Sequence, residues 1–371
     1  MQIIAVTGTN GKTSTCYFLE QFCLNNNITC GRYDSTGAYT NGKKLNIPDC
    51  YYGVEGRNEL ICLISDGGCL NILIWETFSS GLASGYYDEW EVDIAVLTNL
   101  SKDHIELHGS YTAYCKSKFK LFNSYLTNRG TAIINDQEET MSLFDELEKS
   151  EKITKRYDSS ISLFDSIREV SFSKTIFEIS EKPLVLNGPR LFNEHNLALA
   201  LLAFRATGYT LGNEKEFIRI PEGRLNLIEY NDRLIIIDYA HNTAAVKMVL
   251  NTLKSKNSGR IIVVTGAGGE RDKQKRDVLG ILLNTYADIA IVTDDNPRNE
   301  DPAAIRKAIL NKCPNAHEIP NRSLAIQKAL SLSHKKDIIL LLGRGHETDQ
   351  QYKNEIISGT DKELILNTIN L

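Results

Sequence analysis

The sequence predicts an α/β protein of two domains, each built on a parallel sheet. Short apolar runs alternate with segments of helical periodicity along the 371 residues. The runs are apolar at consecutive positions, which is typical of parallel strands covered on both faces. At residues 220–224 (IPEGR) a proline and a glycine follow a predicted helix ending near Phe217, and a new series of strands begins. We therefore expect one domain over residues 1–222 and a second over residues 223–371.

The predicted strands divide into four in each domain. Helices are expected between them, the first running from the loop after the first strand to about Leu24. The charged segment 137–156 is predicted to be a solvated helix, and the pattern over residues 51–70 gives no assignment. The predicted strands are residues 3–6, 71–75, 94–98, 132–135, 234–238, 261–265, 289–293 and 338–342.

Composition excludes several classes of protein. A net charge of -5 and a pI near 5.9 argue against a nucleic-acid surface, which needs a basic stripe. No apolar run approaches the ~20 residues that span a bilayer, and the N-terminus reads as a strand rather than a signal peptide. The 8 cysteines include no C-x-x-C pair, so we expect reduced thiols and no zinc site. These observations favour a cytoplasmic protein.

A glycine-rich loop follows the first predicted strand, where the chain reads GTNGKT at residues 8–13. Glycines allow backbone N–H groups to face phosphate oxygens, and a helix N-terminus favours their negative charge. Lys12 is placed to reach the terminal phosphates and Thr13 to bind Mg²⁺. Val6 stands where the usual G-x-x-x-x-G-K-[ST] motif has its first glycine. The predicted nucleotide-binding residues here are Gly8, Thr9, Asn10, Gly11, Lys12, Thr13 and Ser14.

This form of the loop resembles that of the Mur ligase family. Residues 98–122 (TNLSKDHIELHGSYTAYCKSKFKLF) are similar to the branch that adds diaminopimelate, the third residue, to UDP-N-acetylmuramoyl dipeptide. The resemblance implies two Mg²⁺ sites, with Glu76 at the first, beside Thr13. His104 would bind the second magnesium, together with Lys118 as a carbamate. Residues 77–81 (TFSSG) depart from the branch, whose members have a histidine after paired serines.

A carbamate is chemically reasonable at Lys118, because it converts a cation that would repel Mg²⁺ into an anion that can hold it. Its formation requires a neutral amine, so the site must lower the lysine pKa from about 10.4.

The second domain continues the resemblance. Residues 223–250 match the segment that closes over ATP in the family, which implies that Arg224 approaches the phosphates. Asp238 and His241 would then contact the ribose and adenine. Placement at the ends of predicted strands suits a ligand crevice in an open α/β sheet. The expected architecture is a central P-loop ATPase domain followed by a Rossmann-like α/β domain.

Three later loops, at residues 266–276, 293–302 and 343–347, are similar to loops of the diaminopimelate-adding branch, where the last two receive the incoming amino acid. By this resemblance Asp295, Asn296 and Arg298 meet its distal polar groups, with Arg298 clamping a carboxylate in bidentate fashion. Gly343 and Glu347 would meet an ammonium or amide. The D-N-P-R pattern goes with meso-diaminopimelate in the family.

The predicted activity is ATP-dependent amide bond formation between a small carboxylic acid and an amino acid, through an acyl phosphate. Lys12, His104, Lys118 and Arg224 are the expected catalytic residues. The resemblance covers two of the family's three domains, so we expect a carrier-free acid, or a carrier or partner protein that delivers it. Three alternatives stay open: a ligase like folylpolyglutamate synthetase, a partner-dependent amidotransferase subunit and a simple kinase.

Overall fold

The computed structural model describes residues 1–47, 53–65, 68–134, 156–158, 163–171, 173–180, 182–191, 193–212, 216–256 and 259–369. The chain forms two compact units, Met1–Ile220 and Pro221–Leu371. Within the described ranges, no helix is both long enough and apolar enough to cross a membrane.

The first unit contains a large mixed sheet and a smaller one. Its elements are β1 (Gln2–Thr7), α1 (Lys12–Asn25), β2 (Cys30–Asp34), β3 (Gly37–Thr40), β4 (Lys43–Lys44), α2 (Gly53–Ser65), β5 (Ile72–Glu76), α3 (Ser79–Ser84), β6 (Val92–Leu97), α4 (Ile105–His108), α5 (Tyr111–Lys120), a π-helical turn (Leu121–Tyr125), β7 (Leu126–Ile134), β8 (Arg156–Asp158), β9 (Ser166–Ser171), β10 (Lys174–Ile179), β11 (Lys182–Asn187), α6 (Asn193–Ala206) and β12 (Glu216–Arg219).

The large sheet has the strand order β4-β3-β2-β5-β1-β6-β7-β8. Strands β2, β5, β1, β6, β7 and β8 run parallel, whereas β3 and β4 are antiparallel to their neighbours. Alternate residues of β1 face opposite cores: Ile4 and Val6 pack with α1 and α6, and Ala5 packs on the other side with Trp75. Because β1 lies between β5 and β6, the loops after all three strands meet at one edge of the sheet.

One prediction in this unit is wrong. Phe217 lies in strand β12, not at the end of a helix, and β12 pairs in parallel with β11 in the sheet β12-β11-β10-β9. Burial alternates along Glu216–Arg219, which is the period of a strand, and a window of four residues is too short to show it. Helix α2 occupies Gly53–Ser65 of the stretch left unassigned. Of the predicted helix 137–156, residues 137–155 lie outside the described residues, and Arg156 begins β8.

The second unit is built on a six-stranded sheet of order β13-β14-β18-β15-β16-β17. Only its edge strand β13 is antiparallel to its neighbour. The elements are β13 (Asn226–Tyr230), β14 (Arg233–Asp238), α7 (Thr243–Lys256), β15 (Ile261–Thr265), α8 (Gln274–Tyr286), β16 (Ile289–Val292), α9 (Pro302–Leu310), β17 (His317–Glu318), α10 (Arg322–Leu332), β18 (Ile338–Leu342), β19 (Asp349–Gln351), β20 (Ile356–Ser358) and α11 (Asp361–Ile369).

The predicted α/β class is confirmed. Each of the eight predicted strands overlaps a strand of the structure, and the strands of both parallel cores are buried along nearly their whole length. In the second unit, β14, β15, β16 and β18 end at the same edge of the sheet, so the loops after them are neighbours.

Candidate active site

The loop between β1 and α1 depends on its two glycines for space. Gly8 has φ +142°, and a Cβ there would lie 1.9 Å from Thr98 Oγ1. Gly11 has φ +83°, and a Cβ there would lie 2.2 Å from Asn196 Oδ1. The Thr98 hydroxyl donates to the carbonyl oxygen of Asn10 at 2.6 Å. The loop is thus closely supported by the segment after β6 and by helix α6.

Oxygen atoms gather where this loop meets the end of β5. The Thr13 hydroxyl donates to Glu76 Oε2 at 2.8 Å, and Lys12 Nζ lies 3.7 Å from Glu76 Oε1. The parallel pairing of Val6 with Glu76 brings the carboxylate to this position. Ser35, just after β2, also belongs here: its hydroxyl lies 3.0 Å from Thr13 Oγ1, and its N–H donates to Glu76 Oε2 at 3.3 Å. The sequence analysis missed Ser35.

Lys118 is buried in α5 and reaches the phosphate loop. Its Nζ donates to the carbonyl oxygen of Gly8 at 2.6 Å and lies 4.8 Å from the centre of the Tyr114 ring. Burial, reinforced by the charge of Lys12, lowers the pKa of Lys118 well below its usual value, although Asp103 and Glu76 act in the opposite direction. The π-helical turn begins immediately after α5, which is a common feature of functional sites.

His104 lies at the same edge but is more exposed. Its backbone has φ +51°, and 43% of its side chain is accessible. Nε2 lies 3.8 Å from Asp103, Nδ1 lies 3.8 Å from Glu106, and the ring centre is 6.3 Å from that of Tyr114. His104 therefore lies beside Tyr114, whose ring also contacts Lys118.

Tyr114 is a residue that the sequence analysis missed. Its hydroxyl lies 3.0 Å from Thr9 Oγ1, so one side chain connects the phosphate loop, Lys118 and His104. Burial raises its pKa, and the hydrogen bond with Thr9 acts in the opposite direction. Its position one helical turn before Lys118 was a visible signal, because residues i and i+4 share one face of a helix.

In the second unit, Asp238 ends β14 and organises the backbone around it. Its two oxygens accept hydrogen bonds from the N–H groups of Leu225, at 2.9 Å, and Ala240, at 2.8 Å. Burial raises the pKa of Asp238. Its described contacts thus hold the segment carrying Arg224 beside the loop after β14.

Tyr239 lies between two of the residues predicted to contact nucleotide. The guanidinium carbon of Arg224 is 4.3 Å from the centre of the Tyr239 ring. His241 is exposed, and its Nδ1 lies 2.9 Å from the Tyr239 carbonyl oxygen. Burial raises the pKa of Tyr239 to about 12, so its ring stays neutral beside the guanidinium. Apart from its place at a strand end, no feature of the sequence pointed to this tyrosine.

Residues of the two predicted amine loops meet at the ends of β16 and β18. Asn296 Nδ2 donates to Glu347 Oε2 at 2.7 Å, and Asn296 Oδ1 accepts from the Gln351 N–H at 2.8 Å. Gly343 has φ +106°, and a Cβ there would lie 2.5 Å from Asp295 Oδ2. Burial, followed by the charge of Asp295, raises the pKa of Glu347. Four of the five predicted residues thus lie together. Asp295 and Glu347 supply carboxylates, Asn296 supplies an amide, and Gly343 leaves room beside Asp295.

The fifth, Arg298, is half-buried and faces the loop after β15. Its Nη1 donates to the carbonyl oxygen of Gly269 at 2.8 Å. Its backbone is left-handed, with φ +54°, and its N–H donates to the Gln351 carbonyl oxygen at 2.9 Å. Arg298 therefore ties together the loops after β15 and β16.

A buried ionic group supports the loop that carries Glu347, and the sequence analysis missed it. Arg322 donates to the two oxygens of Asp361 at 2.6 and 2.7 Å. Arg344 Nη1 lies 3.6 Å from Asp361, and Arg344 Nη2 donates to the Gly359 carbonyl oxygen at 2.9 Å. All three side chains are at most 1% exposed. Because the three are distant in the sequence, only the fold reveals their contact.

Comparison with known proteins gives two family matches that cover most of the chain. The Mur ligase middle domain matches residues 6–206, and the Mur ligase glutamate ligase domain matches residues 223–345. A UDP-N-acetylmuramoyl-L-alanyl-D-glutamate--2,6-diaminopimelate ligase from Caldanaerobacter subterraneus subsp. tengcongensis is 33% identical, over 98% of this chain and 77% of the relative.

Two solved structures have a similar fold. The structure of a UDP-N-acetylmuramoyl-L-alanyl-D-glutamate--2,6-diaminopimelate ligase matches with a TM-score of 0.60 and 27% identity, over 100% of this chain and 78% of the other. E. coli FolC, in complex with DHPP and ADP, matches with a TM-score of 0.69 and 20% identity, over 92% of this chain and 85% of the other. The second similarity concerns the fold alone.

Proposed function

Because this chain belongs to the Mur ligase family and is accordingly an ATP-dependent acid–amino-acid ligase, we propose that it joins a small carboxylic acid to an amino acid that carries a distal carboxylate. The observation that carries this proposal is the 2.8 Å bond between Thr13 and Glu76 beside Lys12. A hydroxyl, a carboxylate and an ammonium meet there at the N-terminus of α1, which suits a magnesium triphosphate.

ATP is the proposed nucleotide, because the phosphate loop precedes helix α1 and carries Lys12 and Thr13. Residues 8–14 would receive its phosphates, with Lys12 at the terminal phosphates. By the family resemblance Arg224 would approach the phosphates, and Asp238 and His241 would contact the ribose and adenine. The His241 ring is exposed, whereas both Asp238 oxygens already accept backbone hydrogen bonds.

The donor set fits two magnesium ions. Thr13 and Glu76 supply the hard oxygen ligands that Mg²⁺ prefers, and these would hold the first ion. His104 and a carbamate on Lys118 would hold the second. Burial and the charge of Lys12 lower the pKa of Lys118, which favours the neutral amine that carbamate formation requires. When bound, the ions would neutralise the negative charge that builds up on the phosphates during the reaction.

The proposed reaction has two steps. A carboxylate oxygen of the acid attacks the γ-phosphorus in line, the bond from that phosphorus to the bridging oxygen breaks, and ADP leaves with an acyl phosphate in place. The neutral amine then attacks the acyl carbon, orthophosphate leaves, and the amine proton passes to solvent. Lys12 and Arg224 would orient the phosphates and offset repulsion between the anionic reactants.

The amine donor would bind at the ends of β16 and β18. Asp295 and Glu347 offer carboxylates to an ammonium group, and Asn296 and Gly343 shape the position between them. Arg298 would bind the distal carboxylate, as a planar guanidinium suits a bidentate contact. Meso-diaminopimelate, which the similar ligases are named for, is the first amino acid to test.

The test is ADP release in the presence of ATP, Mg²⁺ and panels of acids and amines. The proposal predicts release that requires both an acid and an amino acid, with an amide product visible by mass spectrometry. Release that needs neither would identify an NTPase, and a phosphorylated product would identify a kinase. Activity with ammonia in complex with a glutaminase would favour the amidotransferase subunit. Activity only when the acid is presented on a carrier or by a partner protein would show how the acid is delivered.

A further inference from the structure

We propose that the acid substrate carries an aromatic ring close to its reacting carboxylate, and that this ring binds on an aromatic patch formed by Tyr33, Phe78 and Tyr86. The inference rests on the proposed function, because it concerns the same site and names the class of acid. It is carried by the position, exposure and charge environment of these three side chains.

Phe78 is exposed immediately beside the proposed phosphate and magnesium site. It follows Glu76 by two residues, and its backbone is extended, with φ -109° and ψ 149°. Side chains two residues apart in an extended chain point to the same side, so Phe78 and Glu76 share one face. Phe78 is 43% exposed.

The ring is held firmly in that exposed position. A Cβ at Gly81 would lie 2.7 Å from Phe78 Cε2, so the absence of a side chain at Gly81 leaves the space that Phe78 occupies. Tyr86 lies 5.8 Å from Phe78 between ring centres, at an angle of 38°, and Tyr87 packs against both rings. The aromatic patch is therefore preorganised, which lowers the entropic cost of binding a flat ligand.

Tyr33 extends the patch towards the metal site. Its ring packs 4.5 Å from that of Trp75, the residue before Glu76, and Ser35 follows two residues later with its contacts to Thr13 and Glu76. Burial, reinforced by the electrostatic effect of nearby Tyr33, raises the pKa of Tyr86 to about 12. Both phenols are therefore neutral near pH 7 and present aromatic faces rather than anions.

The nearby cations favour an aromatic group over a second carboxylate. Arg57 is only 2% exposed, and its Nη1 donates to the carbonyl oxygens of Tyr86 and Asp88, both at 3.0 Å. Lys120 Nζ donates to the Ala83 carbonyl oxygen at 3.2 Å. These charges are directed at the backbone, so the patch matches a neutral flat group.

The experiment compares two probe acids of matched carbon skeleton, 2-naphthoate and its saturated analogue decahydro-2-naphthoate. Binding to the full chain is measured by ligand-observed NMR titration in the presence of Mg²⁺ and a non-hydrolysable ATP analogue. We expect 2-naphthoate to bind several-fold more tightly, up to about tenfold, because aromatic pairs contribute beyond their buried area. Phe78→Ala and Phe78→Leu should both remove this preference, whereas Phe78→Trp should keep it.

A matched control is Phe217→Ala, which removes another exposed phenylalanine of the same unit, 52% accessible, and should leave 2-naphthoate binding unchanged. Equal affinity for the two acids, no saturable binding of 2-naphthoate, or a preference that survives in Phe78→Leu would overturn the inference. Binding of the ATP analogue is followed in parallel and should be lost only in Lys12→Ala. If Lys12→Ala still binds the ATP analogue, the proposed function is contradicted, whatever the result with 2-naphthoate. The two failures are therefore distinguishable.

Discussion

Lys118 Nζ donates a 2.6 Å hydrogen bond to the carbonyl oxygen of Gly8, so a buried amine touches the first glycine of the phosphate loop. A positive charge there would compete with a metal ion for the same anionic phosphates. The proposed reaction of the amine with CO₂ would replace it with an anionic carbamate, which would act as a metal ligand. By this proposal the covalent state of one lysine would be linked to the occupancy of the nucleotide site.

The first prediction concerns that lysine. Lys118→Ala should reduce the ligase rate by about 10²–10³-fold, the cost of removing one preorganised group that stabilises developing charge. Added acetate or another short carboxylate should restore part of the activity by filling the space of the carbamate. Lys116→Ala, at an exposed position of the same helix, serves as the control and should behave as wild type. Wild-type activity in Lys118→Ala would remove the carbamate from the mechanism.

The second prediction concerns the space at Gly11. Gly11→Ala places a Cβ 2.2 Å from Asn196 Oδ1 on a backbone with φ +83°, so it should weaken ATP-analogue binding at least tenfold. It should also destabilise the first unit by more than about 1 kcal/mol. Adding Asn196→Ala removes the clash but not the backbone strain, and so should recover only part of both losses. Calorimetric titration and urea unfolding of the two single variants and the double variant measure the coupling.

The third prediction concerns the buried ionic group of the second unit. Asp361→Asn keeps the shape of the side chain but leaves Arg322 and Arg344 without their buried carboxylate, at a cost of about 3–5 kcal/mol. Lys335→Ala breaks an ion pair with Asp232 that is mostly exposed, and should not change the urea midpoint measurably. Both Trp75 and Trp90 lie in the first unit, so tryptophan fluorescence reports the unfolding of that unit. We therefore expect the loss of stability in the second unit to appear as a lower urea midpoint by far-UV circular dichroism, with no change in the midpoint by fluorescence. Equal midpoints for Asp361→Asn and wild type would contradict this account.

The fourth prediction concerns pH. Burial and Asp295 raise the pKa of Glu347, so as pH falls this carboxylate takes up a proton before an ordinary glutamate does. The KM for the amino acid should therefore rise as pH falls towards and below the ordinary pKa of glutamate. The rise should begin at a higher pH than it would with a carboxylate of ordinary pKa. Glu347→Gln should raise KM at neutral pH by about 10–100-fold and flatten its dependence on acid pH. Glu355→Gln, an exposed neighbour, should show neither change.

Site residues could be predicted from the sequence where they stand in a recognisable motif or at the end of a predicted strand. Lys12, Thr13 and Glu76 were expected to act together, and the structure brings them into contact because adjacent parallel strands end at one edge. Ser35 and Tyr114 were missed, since their roles depend on which strand neighbours β5 and which helix face covers the loop. Arg344 and Asp361 were missed for a similar reason: a buried ion pair leaves no periodic signal. The prediction for Phe217 was wrong because a four-residue strand is too short to show its alternation.

The central claim is that the acid oxygen attacks the γ-phosphate of ATP. The most direct measurement uses an acid labelled with ¹⁸O in its carboxylate, incubated with ATP, Mg²⁺ and the accepted amino acid, followed by mass analysis of the released orthophosphate. An acyl phosphate predicts one ¹⁸O atom transferred to orthophosphate for each amide formed. Unlabelled orthophosphate accompanying amide formation would contradict the account.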